Sequence, residues 1–177
     1  MTLSPDPTMQ ELLAAYPGAQ RALFRNYHIG GCASCGFQPD EKLSGVCARN
    51  EGIDMEEVLE KVRESHEQDE KVYISPPEAA KAHGAGGGRF LDIRTREEHE
   101  AVKIGGSELF SQDLIQAMMG GCPKDTLLVI YDHTGTRSLD AAAYFSGHGF
   151  ENVRALKGGI DAWSQQVDPA LPRYSVE

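Results

Sequence analysis

The apolar positions of this chain keep two different rhythms. Through the first third they recur every three or four residues, the spacing of amphipathic helices. Met9, Leu12, Leu13 and Tyr16 form one such stripe, opened by Thr8 with Glu11 three residues on, a capping-box pair. Pro17-Gly18 breaks it. Residues 19–27 predict a second helix through Ala22, Leu23, Phe24 and Tyr27, and a loop of small residues follows, Ile29-Gly30-Gly31-Cys32-Ala33-Ser34-Cys35-Gly36. Residues 40–49 predict a third helix with Leu43, Val46 and Cys47 on one side, ended by Gly52. Asp54 caps a fourth over residues 55–68, with Met55, Val58, Leu59 and Val62 apolar. The charged stretch 64–71 marks the expected boundary between a small helical domain, 1–70, and a second domain, 71–177.

In the second part short apolar blocks alternate with helical patterns. Strands are expected at 72–74, 90–93, 108–110, 126–131 and 152–156. Helices are expected from Ser75-Pro76-Pro77-Glu78, with proline at the first helical position, and over 95–102, 112–119, 137–147 and 160–166. Alternation of this kind predicts an α/β domain, a parallel sheet covered by helices on both faces. The 126–131 block is the most apolar and is expected at the centre of the sheet.

The segment Val129-Ile130-Tyr131-Asp132-His133-Thr134-Gly135-Thr136-Arg137-Ser138 carries the candidate chemistry. It reads as strand, tight loop, helix. Successive loop N–H groups and a helix N-terminus form a concave site for an anion. A nucleophile at the strand end would point into those donors; the residue there is Asp132, a carboxylate. Asp92 and Arg94 follow another strand, on the edge where α/β sheets bind ligands, and read most simply as an ion pair organising that edge. Arg137 is expected to turn its guanidinium toward Asp132 or into the sheet end. His133 lies in the loop and reads as an exposed loop residue before an acid or base.

Asp132-His133-Thr134-Gly135-Thr136-Arg137-Ser138 resembles the active loop Cys-x-x-Gly-x-Arg-Ser of rhodanese-like (sulfurtransferase) domains, with Asp where the family has its nucleophilic Cys. Leu91-Asp92-Ile93-Arg94 with Glu97-Glu98-His99 is similar to that family's Leu-Asp-Val-Arg…Glu-Glu-Tyr segment, and Lys103-Ile104-Gly105-Gly106-Ser107 to its His-Ile-Pro-Gly-Ala turn. Gly149-Phe150, Val153 and Lys157-Gly158-Gly159-Ile160-Asp161-Ala162-Trp163 resemble its closing strand and helix, and Val167-Asp168-Pro169 to Tyr174 the end of one bacterial branch. The resemblance covers about 100 residues, 73–174. It implies a rhodanese-like fold, and a loop at 132–137 supported by Asp92 and Arg94. A carboxylate cannot accept and release sulfur as a thiolate does, so two readings of the loop stay open: an anion-filled pocket used for docking or structure, and a drifted loop without a ligand; a third, a carboxylate nucleophile for phosphoryl transfer, lacks the metal-binding acidic cluster it would need.

The first 55 or so residues resemble a small helical domain found at the N-terminus of iron–sulfur cluster repair proteins and associated with hybrid-cluster and disulfide-reductase proteins, which implies a redox or iron–sulfur context. His28, Cys32, Cys35 and Cys47 are four candidate soft ligands for a metal or an iron–sulfur cluster. Their spacing, His-x3-Cys-x2-Cys-x11-Cys, matches no standard zinc pattern closely, and Cys47 fits the buried face of a helix. A Cys32/Cys35 redox pair and inert loop thiols remain alternatives. Cys122 precedes the 126–131 strand and is expected to be incidental.

Charge narrows the partners. The net charge is −10, and residues 1–70 hold 13 acidic and 6 basic side chains, so the acidity is concentrated there. No basic stripe offers a nucleic-acid surface. No apolar run approaches membrane-spanning length, and the opening Met-Thr-Leu-Ser-Pro-Asp-Pro-Thr has no basic or apolar leader region; a cytoplasmic protein with reduced thiols is the expectation. Three functions stay open. The first is a non-catalytic rhodanese-like module that binds a protein partner or small anion in sulfur, redox or iron–sulfur metabolism. The second is a sulfurtransferase carrying persulfide on Cys32 or Cys35, and the third a structural partner-binding protein. Oligomeric state is not legible in the pattern.

Overall fold

The computed structural model describes residues 3–30 and 36–174. The chain divides into two compact units, Met1–Lys71 and Val72–Glu177. The first holds α1 (Met9–Ala15), α2 (Ala19–Tyr27), α3 (Leu43–Arg49) and α4 (Met55–Val72). The second runs β1 (Tyr73–Ile74), α5 (Pro76–Gly84), β2 (Arg89–Asp92), α6 (Arg96–Ala101), β3 (Glu108–Leu109), α7 (Gln112–Gly121), β4 (Leu128–Tyr131), α8 (Arg137–Gly147), β5 (Val153–Leu156) and α9 (Gly159–Gln166).

The first unit closes on one apolar cluster built from Met9, Leu12, Leu23, Ile29, Leu43, Val46, Val58 and Val62. The Thr8–Glu11 capping box forms as the sequence pattern predicts. Two boundaries differ from expectation. The third helix begins at Leu43, because residues 39–42 are drawn against the start of α1: Met9 N donates to Glu41 O and Gln10 N to Pro39 O, at 2.8 Å each. The fourth helix runs past the expected 68 to Val72; along its charged end Asp69 pairs with Arg21, and His66 meets the Tyr16 ring edge-on at 5.2 Å. Partners on α2 and beside it support this extra turn, which periodicity in its own sequence does not reveal.

The second unit is a five-stranded sheet in the order β1-β5-β4-β2-β3, every pairing parallel. The most apolar block is the central strand, as expected; all four β4 residues are buried. Successive strand side chains face opposite sides. Leu91, Leu128, Ile130, Val153 and Ala155 therefore meet α7 and α8 through Met118, Leu139, Ala142 and Phe145. Phe90, Val129, Tyr131 and Leu156 meet α5 and α9 on the other face through Ala79, Ile160 and Trp163. The fold is thus a parallel α/β sheet flanked by helices, preceded by a small all-α unit. Among the described residues no helix is long and apolar enough to cross a membrane.

Candidate functional site

Because all the strands are parallel, their C-terminal ends share one edge, and the loops leaving β2 and β4 meet there. The 132–137 loop is held by backbone on two sides. Ile160 N donates to Asp132 O (3.0 Å) and Asp161 N to His133 O (3.2 Å), so the loop carbonyls satisfy amides that the first turn of α9 leaves unpaired. Tyr73 Oη donates to Gly135 O at 2.9 Å. Gly135 has φ +89°, and a Cβ there would lie 2.7 Å from Gly158 N and 2.8 Å from Leu156 O. Gly159, at φ +60°, leaves the space in which the carbonyls of Asp132 and His133 sit; a Cβ would run into both.

Asp132 fills the cradle that this loop builds. Its side chain is buried, Oδ1 accepts from Gly135 N at 2.7 Å, and Oδ2 accepts from Arg137 N at 3.0 Å. The carboxylate lies at the start of α8, where the helix dipole and unpaired amides favour negative charge. The expected role of the Arg137 side chain is corrected. The backbone N of Arg137 meets Asp132, while its guanidinium is exposed and has no ion pair or hydrogen bond among the described residues. The backbone amide at the first position of α8 points along the helix axis into the loop, and the side chain projects outward. Thr134 and Thr136 are exposed on the loop surface. His133 packs its ring on Tyr174 with centroids 4.5 Å apart, and its Nδ1 is buried without a hydrogen-bond partner.

Behind the loop lies a buried polar network. Asp92 is fully buried and takes both arms of Arg94, Nε to Oδ1 at 2.9 Å and Nη2 to Oδ2 at 2.6 Å. His99 Nδ1 lies 2.8 Å from Asp92 Oδ2, and Tyr131 Oη donates to the same oxygen at 3.0 Å. Arg94 continues outward, to Val102 O at 2.7 Å and to Tyr174 Oη at 2.6 Å, and Tyr174 donates to Glu98 at 2.7 Å. Burial alone would raise the Asp92 carboxyl, but bonds from Arg94 and His99 outweigh it and hold the group below its usual range. Burial, followed by the Asp92 charge, pushes the Tyr131 phenol well above its ordinary value. For Arg94, bonds to Asp92 and Tyr174 overcome the desolvation that would lower it. Asp92 and Arg94 form a pair at the predicted place, turned into the protein and fully engaged. Tyr131, Ser107 and Tyr174 belong to the same network, which the local sequence pattern does not single out. A tyrosine at the end of an otherwise aliphatic strand was the available signal, since its hydroxyl needs a partner when buried.

Two of the four cysteines, Cys47 and Cys122, fall among the described residues. Cys32 and Cys35 lie outside the described residues. Cys47 is 3% exposed within the apolar cluster of the first unit, and burial pushes its thiol up. His28 is exposed at the C-cap of α2 in the left-handed conformation, φ 58°. Among the described residues, no three or more His, Cys, Asp or Glu side chains gather as a metal site would require. Cys122 caps α7 beside Arg89 at the start of β2, on the opposite edge of the sheet from Asp132. It is therefore no substitute for a nucleophile in the loop.

The rhodanese-like domain model matches residues 75–166, about half of the chain. This chain belongs to the rhodanese-like family. A sulfurtransferase of Allochromatium vinosum is 39% identical over 82 residues, covering 46% of this chain and 77% of that protein. The thiosulfate sulfurtransferase GlpE of Pseudomonas fluorescens is 32% identical over 88 residues, 50% of this chain and 81% of that one. The probable adenylyltransferase/sulfurtransferase MoeZ of Mycobacterium tuberculosis is 36% identical over 87 residues, 48% of this chain; the match spans only 22% of that longer protein. The rhodanese-like match thus falls within the second unit and covers the sheet, the Asp92–Arg94 pair and the 132–137 loop.

Proposed function

We propose that this chain works in sulfur metabolism as a rhodanese-like docking module whose 132–137 loop does not itself carry sulfur. The observation that carries the reading is the Asp132 carboxylate bonded to Gly135 N and Arg137 N. In sulfur transfer from thiosulfate, a thiolate attacks the outer sulfur, the S–S bond breaks, sulfite leaves, and an acceptor such as cyanide then takes sulfur from the persulfide. A carboxylate oxygen supplies neither step. It also occupies amides that would otherwise meet an incoming anion. A small anion has to displace a carboxylate tethered to the same backbone, so a protein partner reading the exposed loop surface fits better than a free anion. The similarity to sulfurtransferases supports the sulfur context. The helical unit, with Cys32 and Cys35, is proposed as the part that links the module to redox or iron–sulfur chemistry.

Thiosulfate:cyanide transfer with per-residue mass spectrometry tests this. The wild type should transfer no sulfur through the loop. Asp132→Cys should place a thiol among the same donors, where the thiolate is favoured, and gain a sulfur-mass adduct at residue 132. Wild-type turnover that survives Asp132→Ala and vanishes with Cys32→Ser or Cys35→Ser would replace this reading with a sulfurtransferase carrying persulfide in the helical unit. Turnover lost with Asp132→Ala would refute the chemical argument itself.

A further inference from the structure

Residues 167–174 leave α9 and run back across the site edge. Near α9 they are anchored by backbone: Val167 N and Asp168 N both donate to Trp163 O, at 2.8 and 3.1 Å, and Ser164 Oγ donates to Leu171 O at 2.6 Å. Beyond Leu171 the attachment changes character. Arg173 holds Asp161 with two bonds, 2.7 and 3.0 Å, but its own side chain is 57% exposed. Tyr174 accepts from Arg94, donates to Glu98, and lays its ring on His133. On the His133 side the packing leaves no room for a water molecule. On its other side the strap is held by the Tyr174–Glu98 bond alone among the bonds described: Pro172 and Tyr174 form one wall of a groove of about 400 Å³, faced by Glu97, Glu98, Ala101 and Val102.

We infer that residues 172–174 are a displaceable latch over His133, with the groove beside α6 as the space into which they move. Three features converge. The Arg173–Asp161 pair at the tip is exposed and so individually weak, which leaves the Tyr174 hydroxyl, bonded to Arg94 and Glu98, as the hold that must be released. The vacant groove lies on the side away from His133. Beneath the latch sits a buried ring nitrogen, His133 Nδ1, without a hydrogen bond, so the latched state leaves a polar group unsatisfied that release would return to water. Tyr174 ties the latch to the core, since Arg94 reaches both its hydroxyl and Asp92. Release uncovers His133 and Asp161 beside the exposed loop tip and so enlarges the surface offered to a partner. This purpose rests on the docking role proposed above; the motion does not.

Hydrogen–deuterium exchange on the full chain, resolved by residue, tests the latch for the wild type, Arg173→Ala and Tyr174→Phe. The loop reports through Gly135 and Arg137, whose amides bond to Asp132. Each variant should speed exchange at Leu171, whose amide bonds to Asp168 O at the root of the latch, and at Gly135 and Arg137 by about tenfold, the factor expected for one lost hydrogen bond, while β4 and the body of α8 stay protected. Exchange at Leu171 that occurs only together with β4 would show a fixed part of the core and overturn the proposal. Variants that speed the latch but leave Gly135 and Arg137 unchanged would overturn its coupling to the loop. Neither result depends on whether Asp132 replaces a thiol, so this test and the sulfur-transfer test fail independently.

Discussion

Replacing Asp92 with Asn removes one negative charge and almost no volume from the most buried ionic site in the second unit. Arg94 has a side-chain exposure of 1% and Asp92 of 0%, so water cannot replace the lost counter-charge. Asn keeps one acceptor for the Arg94 backbone N and Nε. Its amide group now faces Arg94 Nη2, His99 and Tyr131, which all converge on Asp92 Oδ2. Breaking one side of a buried pair costs about 3–5 kcal/mol, a large part of the roughly 5–15 kcal/mol that holds a domain folded. For a unit of about 100 residues that lowers Tm by roughly 12 °C or more. The pH dependence has a definite sign. The folded carboxyl lies below its ordinary value of 3.8, so its stabilisation is complete above that value and is lost as pH falls through the folded pKa. The stability gap between wild type and Asp92→Asn should therefore hold from neutral pH down to about pH 4 and shrink below it. Urea unfolding followed by far-ultraviolet circular dichroism at several pH values measures both quantities. A loss under about 1 kcal/mol, or a gap as wide at about pH 3 as at neutral pH, would refute this account of the network.

Gly159→Ala should destabilise the second unit by about 2 kcal/mol or more, because its φ of +60° is strained for alanine and the new Cβ meets the carbonyls of Asp132 and His133; thermal unfolding checks this, and a neutral result would show that the loop can retreat. Phe145→Ala, which empties a fully buried site ringed by Phe110 and Phe150, should cost about 3–5 kcal/mol by the same measurement. Iodoacetamide should label Cys122 well before Cys47 in the native protein, since Cys47 is buried and its thiol is raised, and denaturant should remove the difference; equal native rates would place Cys47 outside the core. Expressed alone, residues 72–174 should give cooperative unfolding, because the sheet and both its apolar faces lie within them; a molten spectrum would count against the division into units.

Much of the architecture is legible in local pattern. The alternation of Leu128, Val129, Ile130 and Tyr131 between two faces, the Thr8–Glu11 and Ser75–Glu78 capping boxes, and the glycine at position 135 are decisions that neighbouring residues make by themselves. The order of apolar blocks and helical stripes was enough to predict a parallel sheet with residues 126–131 in the middle, because period and connection length restrict what such a chain can bury. The last turn of the fourth helix, 69–72, was not legible, since Asp69 is held there by Arg21, some 50 residues away in the chain. Nor was the direction of Arg137. Residue type placed an arginine at the loop, but helix geometry turned its amide inward and its guanidinium out.

The sequence by itself determined which groups are available at the site edge: a carboxylate at 132, an Asp–Arg pair at 92 and 94, and glycines where the backbone crowds. Tertiary structure decided what those groups do. It brought Gly135 N and Arg137 N onto the Asp132 carboxylate, packed the Tyr174 ring against His133 across 41 positions of chain, and enclosed Asp92 with Arg94, His99 and Tyr131. The physical reason is that a polar group's partners and its distance from water are set by packing between distant segments, whereas helix and strand patterns are set by neighbours a few residues apart.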